Sequence, residues 1–208
     1  MYDYIIYHNN CYDGYTGFYL FIKSKQWVKN PIVYPDYPSS KTIPPNIDGK
    51  NVIIIDVAYS ADILKKIANK ANKVLFIDHH KTIIKDIKKL KLKPPHEIVY
   101  DVDECGATLV WKYFFSNKKM PLFLKYIRDN DIGIWEMDGT IDLHTYLEVN
   151  FQKKPNFECL KKWDSLFKTP FLNKAIKMGK IYNEYKQHII KKIARQHQVK
   201  TFPGKKFK

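Results

Sequence analysis

Two hydrophobic patterns alternate along the first hundred residues. Three uninterrupted apolar runs rich in β-branched residues, at 4–7, 52–55 and 74–77, are typical of strands buried on both faces. Shorter runs at 32–34 and 98–100 indicate two further strands. Between the strands, segments 14–27 and 61–72 carry apolar residues at helical spacing, and 35–49 reads as a loop rich in Pro, Ser and Asp. This alternation predicts an α/β fold with a mainly parallel sheet flanked by helices.

Beyond residue 106 the pattern becomes mostly helical. Apolar residues at helical spacing occur in 107–115, 122–127, 157–167 and 173–197. The last of these has an apolar side formed by Ile176, Ile181, Tyr185, Ile189 and Ile193. Its other face is basic and contains Lys174, Lys177, Lys180, Lys186, Lys191, Lys192 and Arg195. Either simple solvation or contact with a nucleic-acid backbone explains such a face. The basic segment 201–208 is expected to fray.

Composition narrows the class of protein. The 208 residues are 45% hydrophobic and 15% aromatic, enough for a sizeable core. No apolar run approaches the roughly 18–20 residues of a bilayer span, and the N-terminus resembles no signal peptide, so we expect a cytoplasmic protein without membrane contact. Cys11, Cys105 and Cys159 form no C-x-x-C pair, which favours reduced thiols over a structural zinc site. No P-loop or dinucleotide-binding glycine motif is present.

The charge balance favours an anionic partner. Lys and Arg total 36 against 21 acidic residues, giving a formal net charge of +15, which attracts polyanions. Lysine enrichment in an AT-rich genome would produce the same excess. The charge therefore supports an anionic substrate without identifying one.

Acidic and imidazole side chains follow three of the predicted strands. His8 follows the first strand, Asp56 the next buried one, and Asp78, His79 and His80 the one after. In parallel α/β sheets, ligands bind outside the carboxyl ends of the strands. Imidazole and carboxylate suit Mn, Fe, Zn or Mg, and two such ions about 3.5–4 Å apart can activate water for phosphoryl displacement. Single residues of these types also have ordinary explanations, and Asp101, Asp103 and Glu104 are expected only to cap the helix near Ala107.

These residues occur in an order that resembles the DHH phosphoesterase superfamily. Asp78-His79-His80 after a hydrophobic strand resembles its signature, and Ile55-Asp56 resembles its second motif. The other similar segments are His8-Asn9-Asn10-Cys11-Tyr12-Asp13-Gly14, Gly106-Ala107-Thr108 and Asp131-Ile132-Gly133-Ile134-Trp135. The resemblance covers about residues 1–150. It implies a DHH-type catalytic domain over 1–150, followed by a helical C-terminal extension over 151–208.

The resemblance also implies roles for individual residues. His8 and Asp13 would hold one metal ion, Asp56 would bridge, and the second site would be completed by His79 and Asp131. His80 would contact the phosphate or act as an acid, and Asp78 would orient the imidazoles. Two Mn²⁺ ions are the implied cofactor, with Mg²⁺ as the alternative.

The chain departs from the family pattern in two places. Many members carry a second Asp two residues after the first, where this chain has Tyr15. The second ion would therefore bind more weakly, or would have Asp129 as a ligand instead. The family's C-terminal substrate-binding domain, with its Gly-rich, His-containing loop, has no counterpart here. Either the chain is a truncated or minimal form, or its helical part binds the substrate. These departures predict that activity is reduced or absent.

The sequence therefore predicts a metal-dependent phosphohydrolase. The leading prediction is a phosphodiesterase that acts on short oligonucleotides, single-stranded nucleic acid or cyclic dinucleotides, using water activated by two metal ions. Exposed aromatic residues such as Tyr12, Tyr15 or Tyr59 would stack on bases. The alternatives are a phosphomonoesterase or polyphosphatase, and a catalytically silent module that binds nucleic acid. The oligomeric state is left open.

Overall fold

A single sheet of five parallel strands organises the protein, as the sequence predicts. The computed structural model describes residues 1–38 and 40–196; segment 201–208, expected to fray, lies outside them. The strands are β1 (Tyr2–His8), β2 (Trp27–Asp36), β3 (Asn51–Ile55), β4 (Lys73–Asp78) and β5 (Glu97–Tyr100), in the order β2-β1-β3-β4-β5. All four strand pairs are parallel.

Helices flank the sheet and make up most of the second half of the chain. They are α1 (Tyr12–Ser24), α2 (Ala61–Lys70), α3 (Ile84–Lys89), α4 (Gly106–Phe114), α5 (Leu122–Asp131), α6 (Thr140–Asn150), α7 (Phe157–Trp163) and α8 (Thr169–Gln196), with short 3₁₀ turns at Lys81–Ile83 and Asp164–Phe167. The mostly helical C-terminal part is thus confirmed.

Several local predictions differ from the structure. Strand β2 (Trp27–Asp36) extends beyond the predicted 32–34 and into the predicted loop 35–49, and helix α3 was not predicted. The first helix ends at Ser24, not near Trp27, because Lys25 takes a left-handed conformation (φ 58°) and Trp27 begins β2. Helix α6 was not predicted, because Ile141, Leu143, Leu147 and Val149 fall at odd-numbered positions that imitate the alternation of a strand.

The core lies on both faces of the sheet, because the strands send alternate side chains to opposite sides. Ile5 and Ile53 face the layer that contains α1 and α4. Ile6 and Ile54 face the layer that contains α2. Burial on both faces explains why β1, β3 and β4 are nearly continuous apolar runs.

The C-terminal helices pack partly into the same core. Trp163, Leu166 and Leu172 are buried in the cluster that contains α1. The first half of α8 packs against α6, whereas farther along it Ile181 and Tyr185 are 56% and 67% exposed. The apolar side predicted for the last helix is therefore only partly buried. The boundary predicted near residue 150 stays a prediction.

The strand order creates a crevice at the carboxyl edge of the sheet. From β1 the chain passes through α1 to β2 on one side, whereas β3 and β4 lie on the other side of β1. Helix α1 packs on one face of the sheet and α2 on the other. Such a switch point, here between β1 and β3, is where ligands of open α/β sheets bind. Among the described helices, none is both long and apolar enough to cross a membrane.

Candidate functional site

The polar side chains predicted at the strand ends lie beside this switch point. His8 is the last residue of β1, Asp56 directly follows β3, and Asp78 is the last residue of β4. Asp56 has a left-handed backbone (φ 63°), and its N–H donates to the carbonyl of Ile77 on the next strand (2.9 Å). A left-handed backbone is uncommon outside glycine, and such residues cluster at functional sites.

The carboxylate of Asp56 lies among three imidazole rings. Its Oδ2 is 3.2 Å from Nδ1 of His8. Its Oδ1 is 3.1 Å from Nε2 of His79 and 3.7 Å from Nδ1 of His80. Asp56 is thus the central residue of the cluster.

Two further carboxylates contact the His79 ring. Nε2 of His79 is 3.2 Å from Oδ2 of Asp131, at the end of α5, and 3.7 Å from Oδ2 of Asp13, in the first turn of α1. All five predicted metal ligands, together with His80, therefore converge in one cluster.

The potential ligand atoms form two groups of three. Within each group they lie within 4.8 Å of one another; the groups are His8, Asp56 and His80, and Asp13, His79 and Asp131. This grouping differs from the one that the resemblance implies, because Asp13 lies with His79 and not with His8. It also places His80 among the potential ligands.

Asp13 connects the cluster to helix α4. Its two oxygens accept hydrogen bonds from the backbone N–H groups of Gly106 (2.6 Å) and Ala107 (2.8 Å), so it caps the N-terminus of α4. This corrects the expectation for Asp101, Asp103 and Glu104: Asp101 accepts from the N–H of Asp103, and Glu104 pairs with Lys112. Nothing in the local sequence predicts this cap, because Asp13 and Gly106 are 93 positions apart.

Two glycines allow this close packing. A Cβ on Gly106 would lie 2.8 Å from Cβ of Asp56 and 2.9 Å from Oδ2 of Asp13. A Cβ on Gly14 would lie 2.6 Å from Cβ of His8. The glycines in the two family-like segments therefore have a steric reason to be there.

The Asp78 carboxylate holds His80 in place. Its Oδ1 accepts the backbone N–H of His80 (2.8 Å) and lies 3.0 Å from Nδ1 of the same residue. The Tyr100 hydroxyl, on the adjacent strand, donates to the His80 carbonyl (2.8 Å). Backbone and ring of His80 are thus both fixed, and Tyr100 is a support that the sequence did not reveal.

The electrostatics of the cluster reflect crowded, buried charges. Burial and the Asp56 carboxylate raise the pKa of Asp131 to about 6, and burial with both neighbouring carboxylates raises that of Asp13 well above its usual value. Burial opposes protonation of His79, but the nearby carboxylates raise its pKa to about 9. Burial would raise the pKa of Asp56, but the imidazoles of His79 and His8 lower it.

The residues present fit a pair of divalent cations. Oδ1 of Asp56 is buried and makes no hydrogen bond of acceptable geometry within the described part of the chain. A cation would satisfy this oxygen and offset the repulsion among the carboxylates of Asp13, Asp56 and Asp131. A mixture of imidazole nitrogen and carboxylate oxygen ligands suits Mn²⁺. Because several of the ligand atoms are carboxylate oxygens, Mg²⁺ is also compatible with the site.

The suggested substitute ligand, Asp129, serves another purpose. Its buried carboxylate accepts hydrogen bonds from the Thr140 hydroxyl (2.5 Å) and from the N–H groups of Glu136 (3.0 Å) and Met137 (3.3 Å). It therefore organises the loop between α5 and α6, and the expectation that it replaces the missing carboxylate is wrong. Tyr15 supplies no replacement either, since its hydroxyl donates to the Lys154 carbonyl (2.7 Å).

The aromatic residues proposed to stack on bases are buried. Tyr15 and Tyr59 are 0% exposed and Tyr12 is 9% exposed. Tyr15 packs against Trp163, and Tyr59 donates a hydrogen bond to Asp36. These rings belong to the core, so the stacking prediction is wrong for all three.

A small cavity opens onto the cluster. Its volume is about 210 Å³, and it is lined by His79, His80, Lys81, Val102, Asp131 and Ile132. A larger cavity of about 400 Å³ lies between the end of α6 and α7, and no residue of the cluster lines it. The smaller cavity is the chemically relevant one, because it joins candidate ligands to a lysine.

The proteins to which this chain is similar include a viral and a bacterial protein, both uncharacterized. No family model matches the chain. It is similar to an uncharacterized protein of Acanthamoeba polyphaga mimivirus, at 28% identity over 207 residues, which is 93% of this chain and 47% of the viral protein. A crystal structure of an uncharacterized Helicobacter pylori protein covers 71% of this chain and 50% of its own, at 14% identity and a TM-score of 0.47. The chain thus spans about half the length of the proteins it matches.

Proposed function

We propose that this protein is a metal-dependent phosphohydrolase of the DHH type. The observation that carries the proposal is the cluster around Asp56, in which contacts of 3.1–3.7 Å link the five residues that the sequence resemblance implies as ligands. The motifs supplying them span about 120 residues, and His8, Asp56 and His79 come from three different strand ends. Such convergence of carboxylates and imidazoles is expected of a metal centre.

The proposed roles follow from the contacts. Bound in this cluster, two Mn²⁺ ions would supply an activated water and neutralise charge on the phosphoryl group. Asp56 would bridge the two groups of ligands, because each of its oxygens contacts a different imidazole. Asp78 would keep the His80 ring oriented toward the substrate.

His80 has two possible roles, and metal content separates them. It lies with His8 and Asp56 as a potential ligand, but it also lines the cavity where a phosphate would bind. We propose that His80 contacts the phosphate or donates a proton to the leaving group. A His80→Ala variant should then keep both ions and lose turnover, whereas loss of one ion would make His80 a ligand.

The proposed substrate class is a phosphodiester of the nucleic-acid type. The net charge of +15 favours polyanions, and Lys81 provides a cation at the cavity next to His80. Short oligonucleotides, single-stranded nucleic acid and cyclic dinucleotides all meet this description. We also propose a cytoplasmic location, which the three free cysteines support.

The decisive experiment is a hydrolysis assay with Mn²⁺. Purified protein is incubated with a labelled oligonucleotide, a cyclic dinucleotide, a phosphomonoester and inorganic polyphosphate, each with Mn²⁺, with Mg²⁺ and with a chelator. We expect Mn²⁺-dependent release of mononucleotides. His79→Ala should lower kcat at least a hundredfold, whereas His188→Ala, on the exposed part of α8, should not change it.

Other outcomes would favour the alternatives. Faster turnover of polyphosphate or of the monoester would point to a polyphosphatase or phosphomonoesterase with the same centre. No turnover of any substrate, together with oligonucleotide binding that is lost when lysines of α8 become glutamate, would indicate a silent binding module and reject the proposal.

A further inference from the structure

The segment after α6 lies against the first turn of α1. The Tyr15 hydroxyl holds its backbone by donating to the Lys154 carbonyl (2.7 Å), and Nζ of Lys153 lies 3.8 Å from the centroid of the Tyr12 ring. The Tyr12 ring is itself packed against the rings of His144 and Trp163, with ring centroids 5.0 Å and 6.3 Å apart, respectively. The Lys153 ammonium is therefore held at one place by a rigid aromatic surface.

Lys153 is a partly buried cation without an ion-pair partner. Among the residues that the structure describes, the ion pairs formed by lysine and arginine side chains do not include Lys153, although Glu148 interacts with it electrostatically. Partial burial lowers its pKa. Partial burial removes water from the ammonium, and its interaction with the Tyr12 ring only partly offsets this loss of solvation free energy. An anion bound at this position would therefore be stabilised.

The ring that holds the ammonium belongs to the same helical turn as a candidate ligand. Tyr12, whose ring lies under the Lys153 ammonium, is the first residue of α1. The next residue is Asp13, whose carboxylate contacts His79. The lysine is thus anchored to the first turn of α1, which also supplies one of the candidate ligands.

We propose that Lys153 binds a phosphate group of the substrate other than the one that is cleaved. This inference rests on the proposed function, because it assigns the second phosphate of a substrate whose first phosphate lies at the metal centre. Two sources share this chemistry: the terminal phosphate of a short oligonucleotide, and the next phosphate of an inorganic chain. The helical C-terminal part thereby contributes directly to substrate binding.

Binding of an uncleavable ligand tests the proposal separately from catalysis. The ligand is a dinucleotide with a methylene phosphonate in place of the scissile phosphodiester, prepared with and without a 5′-phosphate. Tripolyphosphate represents the inorganic source, with its binding measured in the presence of Ca²⁺ to slow cleavage. Affinities are measured by calorimetry with metal-loaded wild-type protein and with Lys153→Met, Lys153→Arg and Lys154→Met, after each variant is shown to fold by circular dichroism.

We expect Lys153→Met to weaken binding of the phosphorylated dinucleotide about tenfold, the effect of losing one charge-assisted contact. Binding of the unphosphorylated dinucleotide should not change. Lys153→Arg should restore most of the loss, and Lys154→Met should behave like wild type, because only the backbone of Lys154 makes the contact with Tyr15. With a cleavable dinucleotide, the same loss should appear in KM and not in kcat.

The outcomes distinguish the two proposals. If Lys153→Met weakens only tripolyphosphate binding, the inference holds with an inorganic chain as the source. If the variant binds every ligand as wild type does, or if wild type binds none of them, Lys153 only packs on Tyr12 and the inference is overturned. If the binding difference appears but wild type cleaves no substrate, the lysine site stands and the proposed hydrolase activity fails.

Discussion

At the scale of single residues, the candidate centre depends on very close packing. Gly106 lies so near Asp13 and Asp56 that even a methyl group would displace one of their carboxylates. The same Asp13 carboxylate caps α4 and contacts His79. A small change at one position should therefore affect both the stability of the helix and the affinity for metal.

Gly106→Ala tests this coupling. We expect Mn²⁺ affinity to fall at least tenfold, the usual effect of disturbing groups that orient metal ligands, and stability to fall by about 1–3 kcal/mol through overpacking. Calorimetric titration with Mn²⁺ and urea unfolding measure the two effects. Gly179→Ala, crowded but in the α6–α8 contact, serves as a control that should lose stability and keep its affinity. Unchanged Mn²⁺ binding in Gly106→Ala would contradict the arrangement.

A second residue-scale prediction concerns pH. Partial burial would raise the pKa of Asp164, but the contacts from Nζ of Lys23 (2.5 Å) and from the Tyr19 hydroxyl (2.5 Å) lower it in the folded protein. A depressed carboxylate pKa stabilises the fold above the ordinary Asp value of about 4, and this stabilisation is lost as pH falls. Asp164→Asn should therefore cost about 0.5–1 kcal/mol at pH 7, since the pair is partly exposed, and less at pH 3. Urea unfolding at both pH values checks this, and a larger loss at pH 3 would refute it.

The residues that the hydrophobic pattern revealed share a simple property: they lie at the ends of strands that are recognisable by themselves. Asp13 and Asp131, which lie in helices, were implied only by the family resemblance. His8, Asp56 and Asp78 could be found because parallel strands end at one edge of the sheet. The burial of Tyr59 and the loop-organising role of Asp129 could not be found, since both depend on partners from other elements, Asp36 and Thr140.

At the scale of elements, buried strands were easier to predict than helices. The short apolar runs of β3 and β4 are typical of buried strands and of few other structures. Helix α6, by contrast, has apolar residues at alternating positions, a pattern that predicts a strand. Helix α6 is defined by its contact with α8 and not by its own sequence pattern. That contact is close enough that a Cβ on Gly179 would lie 1.8 Å from the carbonyl oxygen of Asp142.

Gly179→Ala should consequently separate the two helices. We expect stability to fall by about 1–3 kcal/mol, because backbone cannot move aside as a flexible side chain can. Lys180→Ala, at the exposed next position, should change stability by less than about 0.5 kcal/mol. Thermal unfolding followed by circular dichroism measures both. Equal stability of the two variants would show that the helices do not pack this closely.

At the scale of the whole molecule, metal binding should be linked to folding. The candidate ligands come from elements between β1 and α5, so an ion held by them connects both halves of the chain. A ligand that binds only the folded state stabilises it by about 2.7 kcal/mol at one hundred times its dissociation constant.

Mn²⁺ should therefore raise the Tm by about 5–10 °C for a protein of this size, and a chelator should reverse the effect. His79→Ala should abolish the shift, whereas His188→Ala should retain it. Scanning calorimetry with and without Mn²⁺ provides the measurement. A Tm that responds to neither Mn²⁺ nor chelator would argue against an ion at this centre.

The position of Asp131 has a consequence for how the protein matures in the cell. The sheet strands are all translated by residue 100, but the last acidic side chain of the cluster belongs to the end of α5. A nascent chain could thus pair its strands on the ribosome while the candidate metal centre is still incomplete. An ion at this centre would then bind only after the helical half has been synthesised, so that an unfinished chain would not hold metal.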